Sequence, residues 1–256
     1  MASTTAMPAT ITATMTTTTI TATTMDTAIT TTEADLQRLL TWLSPAYPVG
    51  AYTYSHGLEM AVEAGAVRNR ADLRAYIETV LEAGAGRIDA ALLASAFRAA
   101  LADDGAALDE VAALAAAWRG TAETALETMA QGSAFLKVTN AAWPKPRLVA
   151  FAARHAGVLA HPVAFGAAAA WQGLPLPMAL FGFLSAFAAN LVSAGVRLVP
   201  LGQTDGQIAT AGLLPALQAA TAAGMAADLD RIGTSAPMLD LFSLRHETQY
   251  TRLFRS

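Results

Sequence analysis

Residues Met178 to Val196, MALFGFLSAFAANLVSAGV, run for nineteen positions without a charged side chain. A stretch of that length is close to the minimum that crosses a bilayer as a helix, and it serves equally well as the central helix of a packed bundle. Its Ala, Gly, Ser and Asn content, the want of a second comparable segment and the lack of a basic cluster on one flank favour the packed helix. The expectation is the most buried helix of the fold, with Phe187 on an internal face and Asn190 satisfied by a hydrogen bond, because a bare buried amide costs about 1–3 kcal/mol.

The segments around it have the same character. Leu36, Leu39, Leu40 and Leu43 recur at helical spacing before Ser44-Pro45 interrupts them. Amphipathic stripes follow at Leu73, Tyr76, Ile77, Val80 and Leu81, at Leu92, Leu93, Ala96, Phe97 and Leu101, and at Leu108, Val111, Ala115 and Trp118. Breaks are predicted at Gly65, at Gly84-Ala85-Gly86, at Asp103-Asp104-Gly105, at Trp143 to Pro146 and at Gly173 to Pro177. Ser55 is expected to cap the helix that stops at Gly65. The apolar fraction is mostly Ala and Leu, which suits helices with small interfacial residues better than pleated sheets. The predicted fold is therefore all-α, a single-domain helical bundle over 33–256.

Residues 1–32 are half threonine and hold no Lys or Arg, so they lack the basic start of a signal peptide and the Arg content of a transit peptide. They read as a disordered low-complexity tail with little apolar surface to offset the entropy of ordering. Sixteen basic against twenty acidic side chains give no electrostatic footprint for nucleic acid. The absence of cysteine removes disulfides, thiolate metal sites and thiol nucleophiles, in keeping with a cytoplasmic protein.

No phosphate loop, nucleophile elbow or H-E-x-x-H helix occurs in the sequence, so no catalytic residue and no cofactor are assigned. His56, His155, His161 and His246 do not form a ligand array. His56 lies one helical turn from Glu59 and His246 adjoins Glu247, but a stable metal site needs three or four converging ligands, and none is assigned. The run from Arg197 to Gln207 places Gln203, Asp205 and Gln207 among glycines after the apolar helix, which is either a helix-helix turn or a bound or buried polar network. The last residues combine Arg245, Arg252 and Arg255 with Tyr250 and Phe254. Chain ends fray, whereas Arg and aromatic residues are enriched at binding hot spots, so this segment is expected to act on a partner more than on the core.

Three stretches together resemble the UreF family of urease accessory proteins. Pro48, Gly50, Tyr52, Ser55, Gly57 and Glu59 match its opening signature, P-x-G-x-[FY]-x-x-S-x-G-[LM]-E. The PLGQTDGQ run, with Pro200, Gly202, Gln203, Asp205 and Gln207 after Arg197, resembles the central one. The ending from Arg245 to Ser256, including His246, Glu247, Tyr250, Arg252 and Phe254, is similar to the family's tail. Between Glu123 and Gly132 the family often carries an arginine where this sequence has Ala125, so no role for that arginine is carried over. The resemblance implies an all-helical, non-enzymatic chaperone for nickel insertion. It would act as a homodimer that binds a UreD/UreH-type accessory protein and recruits a UreG-type GTPase to apo-urease. Two other readings stay open here: an activator that donates Arg245, Arg252 or Arg197 to the GTPase's phosphates, and a membrane-associated helical protein.

Overall fold

Every break marked by Gly, Pro or paired Asp in the sequence coincides with a helix end in the computed structural model, which describes Met1 and residues 32–118, 120–156 and 158–256. The helices are α1 (Glu33–Trp42), α2 (Leu58–Glu63), α3 (Arg70–Ala83), α4 (Ala85–Leu101), α5 (Gly105–Ala117) and α6 (Ala122–Ala142). There follow α7 (Pro146–Arg154), α8 (His161–Trp171), α9 (Leu176–Leu198), α10 (Gln203–Gly212), α11 (Leu214–Met225) and α12 (Pro237–His246). No strand occurs among the described residues, and the fold is all-α. The threonine-rich tail expected over 1–32 lies outside the described residues except at Met1 and Thr32. Thr32 is not part of a tail: its hydroxyl accepts from the Asp35 N–H while the Asp35 carboxylate accepts from the Thr32 N–H, a reciprocal cap on α1.

Asn69, Asp104 and Thr121 cap α3, α5 and α6 in the ordinary way, each side chain accepting from an N–H of the first turn. Ser55 stands two residues before the N-cap position of α2, though its hydroxyl accepts the first-turn N–H of Glu59 at 3.4 Å. The helix begins at Leu58 behind Gly57, whose φ of 73° lies in the left-handed region. A side chain at Gly57 would also stand 2.8 Å from the Ser243 backbone nitrogen, so the residue is demanded both by its dihedral angle and by the closeness of α12. The Ser55 hydroxyl also donates elsewhere, as described below.

The centre of the molecule is α8, in which every residue from Pro162 to Ala170 is buried. It crosses α4 so closely that a methyl group on Gly166 would run into the Leu93 carbonyl. Small side chains allow that approach, and the alanines on either side fill the remaining space at near-crystalline density. The expectation that Met178–Val196 forms the most buried helix is therefore corrected. Helix α9 buries one face, with Leu180, Leu184, Leu191 and Ala194 inward, and turns Ala186, Ala189 and Ser193 outward or toward a cavity. Phe187 is half-buried, its ring edge-on to His56 at 4.7 Å. Asn190 is satisfied as expected, its Nδ2 donating to the Ala51 and Tyr54 carbonyls at 2.8 and 3.3 Å. Among the described residues α9 is the one unbroken helix long and apolar enough to cross a membrane, and half of its most apolar window is buried inside the fold.

Candidate functional site

The three motifs singled out in the sequence meet in space, two of them intimately. Glu59, in the first turn of α2, is 8% exposed and holds three donors. Its Oε1 accepts from the Leu253 N–H at 2.7 Å, and its Oε2 accepts from the Phe254 N–H at 2.9 Å and from His246 Nε2 at 3.2 Å. His246 itself has no exposed surface, and its Nδ1 meets Glu123 Oε2 at 2.7 Å. The ring thus bridges the two glutamates, one at each nitrogen. Arg252, at the edge of the cluster, adds a cation, its Nη1 donating to Glu123 Oε1 at 2.7 Å. The two buried glutamates are tolerated because each has hydrogen-bond partners at both carboxylate oxygens.

The main chain continues the attachment. The Arg255 N–H donates to the Thr53 carbonyl at 2.7 Å, and the Ser256 main-chain oxygen accepts from the Ser55 N–H at 2.7 Å and from the Ser55 hydroxyl. The Ser256 hydroxyl donates to Glu127 Oε2 at 2.9 Å, while Glu127 Oε1 accepts from Gln131 Nε2 at 2.9 Å and meets His56 Nε2 at 2.9 Å. Phe254 is 3% exposed, with the Arg197 guanidinium 4.4 Å from its ring centroid. Arg197 is held in that position by its Nη2 bond to the Tyr52 carbonyl at 3.0 Å, and partial burial draws its pKa below the usual arginine value. Gly50, at φ 76°, starts the short turn Ala51–Thr53 that offers these carbonyls, and Pro48 precedes it.

The last twelve residues are thus fastened to the body instead of fraying. His246 and Phe254 face inward, and Glu247 Oε1 accepts the Ala122 N–H at 3.0 Å, at the start of α6. Arg245, Tyr250 and Arg252 are exposed, with Leu244 and Leu253 beside them. Sequence reading missed Glu123, Glu127 and Gln131. Their spacing of four along α6 was the available signal, since it puts three polar side chains on one helical face.

The central motif behaves differently. Asp205 accepts the Gly202 N–H at 3.4 Å and pairs with Arg70 Nη1 at 2.6 Å, and Gly206 packs on Val196. Gln203 and Gln207 are exposed beside Ile208. Pro200 is exposed in the turn that leads into α10. The four histidines go to separate environments: His155 pairs with Asp109 at 2.8 Å, and His161 sits among the Phe135, Phe165 and Phe183 rings.

A cavity of about 230 Å³ lies beside this assembly, between α1, α6, α8 and α9, with Trp42, Gln131, His161, Phe165, Phe183 and Phe187 in its wall.

The UreF family profile matches residues 67–214. The urease accessory protein UreF of Granulibacter bethesdensis is 66% identical over 224 residues, which cover 88% of this chain and 95% of that protein. Proteins of the same description from Rhodopseudomonas palustris and a Bradyrhizobium species are 52% and 51% identical, each over 87% of this chain and 92% of its own length. On the profile match and on these near full-length identities, the chain belongs to the UreF family of urease accessory proteins.

Proposed function

We propose that the chain is a non-catalytic adaptor for nickel insertion into urease. It binds a UreD/UreH-type accessory protein, recruits a UreG-type GTPase to apo-urease, and works as a homodimer in the cytoplasm. The supporting observation is the division of labour within Arg245 to Ser256. His246, Arg252 and Phe254 fasten the segment inward, leaving Arg245, Tyr250 and Leu253 as a preordered outer row of a planar donor and apolar anchors. A segment already held in place loses little entropy on binding, so those side chains act at nearly full strength. The exposed amides Gln203 and Gln207 with Ile208 form a second surface suited to another member of the assembly.

Of the arginines considered as donors to a GTPase's phosphates, Arg197 and Arg252 are committed to internal bonds, which favours the adaptor over the activator. Co-expression with the remaining urease accessory proteins and urease, followed by affinity capture of this chain, tests the reading. The adaptor account expects the UreD/UreH-type protein, the GTPase and apo-urease together on the affinity matrix. Capture of the chain alone, under conditions where the other proteins are made and folded, would overturn it.

A further inference from the structure

The cavity beside the tail assembly is larger than the roughly 150 Å³ that admits a benzene ring in an apolar protein interior. Its wall is an extension of one aromatic cluster: Phe165 lies 5.3 Å from Phe183, and His161 lies 5.1 Å from Phe183. A flat ring entering the cavity meets edges and faces at the spacing aromatic pairs prefer.

Two polar groups in the same wall have hydrogen-bonding capacity left over. Gln131 is 8% exposed and gives its Nε2 proton to Glu127, while its Oε1 meets no donor among the described residues. The His161 ring touches aromatic rings, and its nitrogens meet no hydrogen-bond partner among the described residues. The two are neighbours, because the His161 backbone N–H donates at 3.2 Å to Thr128, one turn before Gln131 on α6. Burial pushes the His161 pKa down to about 4, so at neutral pH the ring keeps a lone pair able to accept. Both groups line the cavity, so their spare acceptor capacity is open to a donor that enters it. The Glu127 carboxylate in the wall disfavours an anion.

We propose that this cavity is a binding site for a small uncharged aromatic molecule bearing a hydroxyl or amino donor, of which phenol is the simplest. Its ring lies against Phe165 and Phe183, and its donor is accepted by His161, with the Gln131 Oε1 as the second acceptor for an amino group. Nothing in the adaptor role requires such a ligand, so the two claims stand or fall separately.

Isothermal titration of the full chain at neutral pH with phenol, anisole and benzoate tests this. Phenol is expected to bind saturably, anisole, which lacks the donor, roughly tenfold more weakly or worse, and benzoate not at all. His161→Phe keeps the ring and removes the acceptor, and should lower phenol binding to the anisole level. Absence of saturable phenol binding, equal binding of phenol and anisole, binding of benzoate as tightly as phenol, or undiminished phenol binding by the variant would each overturn the proposal. Should His161→Phe fail to fold, the ratio of phenol to anisole on the unaltered chain decides alone.

Discussion

The carboxylate of Glu59 accepts the backbone N–H of Phe254 at 2.9 Å, joining the opening motif to the last turn of chain across nearly the whole sequence. Around that one bond gather the other contacts that hold the tail: His246 between Glu59 and Glu123, and Ser256 between Ser55 and Glu127. The motif keeps its glutamate because a carboxylate alone can take two main-chain N–H groups and a ring N–H at once.

Glu59→Gln preserves the shape of the side chain but sets an amide NH₂ against the Leu253 and Phe254 N–H donors and removes a buried carboxylate acceptor. The expected loss is about 2–4 kcal/mol of stability, read by chemical denaturation. A change under about 0.5 kcal/mol would show that the tail's attachment does not depend on this carboxylate.

Gly57→Ala should cost about 2–4 kcal/mol. Roughly 1–2 come from forcing a side chain into the left-handed region, and the remainder from contact with the Ser243 backbone, which cannot swing aside. A Gly65→Ala control has the same φ of 73° and open space around it, so it should show the dihedral cost alone. Equal losses in the two variants would mean that α12 does not lie where described.

The His161 ring makes stability depend on acid. Its folded-state pKa of about 4 lies below the ordinary 6.5, so between those values the unfolded chain binds more protons. Its contribution is fully present above pH 6.5 and is lost as pH falls toward 4, to a total of roughly 3 kcal/mol. Comparing wild type with His161→Phe at pH 7 and pH 4.5 separates this from the carboxylates that titrate in the same range. The variant should lose less stability on acidification, and parallel curves would contradict the burial of that ring.

Helix ends were legible in the sequence because they follow from local restrictions: Gly84, Gly173 and Pro146 limit the backbone wherever the rest of the chain goes. The ranking of helices by burial was not. Side-chain hydropathy points to Met178–Val196, whereas depth belongs to α8, whose alanines and Gly166 let two backbones touch. The motif residues Ser55, Gly57 and Glu59 were found, but Ser55 was expected to cap a helix, and it was the chain's last residues whose partners were sought outside the chain. What Ser55 and Glu59 bind is the chain's own ending, a pairing that sequence separation conceals. Gln203 and Gln207, equally marked as polar, turn outward, and nothing in their local sequence distinguishes the two outcomes.

Ending the chain at Leu244 removes His246, Arg252 and Phe254 together, leaving the buried Glu59 and Glu123 without these hydrogen-bond partners. A loss of at least 3–5 kcal/mol is expected, about 10 °C or more in melting temperature for a domain of this size. An unchanged melting temperature would mean that the segment does not brace the body.

The outer row is tested most directly by Arg245→Ala/Tyr250→Ala, since Tyr250 is fully exposed and Arg245 lies at the surface. Co-purification with the UreD/UreH-type protein is measured beside the melting temperature of the variant alone. The account predicts melting within about 1–2 °C of wild type and, at about 2 kcal/mol for each lost anchor, binding weakened roughly a thousandfold, so that the complex disappears at micromolar concentration. Co-purification at the wild-type level, with the fold intact, would contradict it.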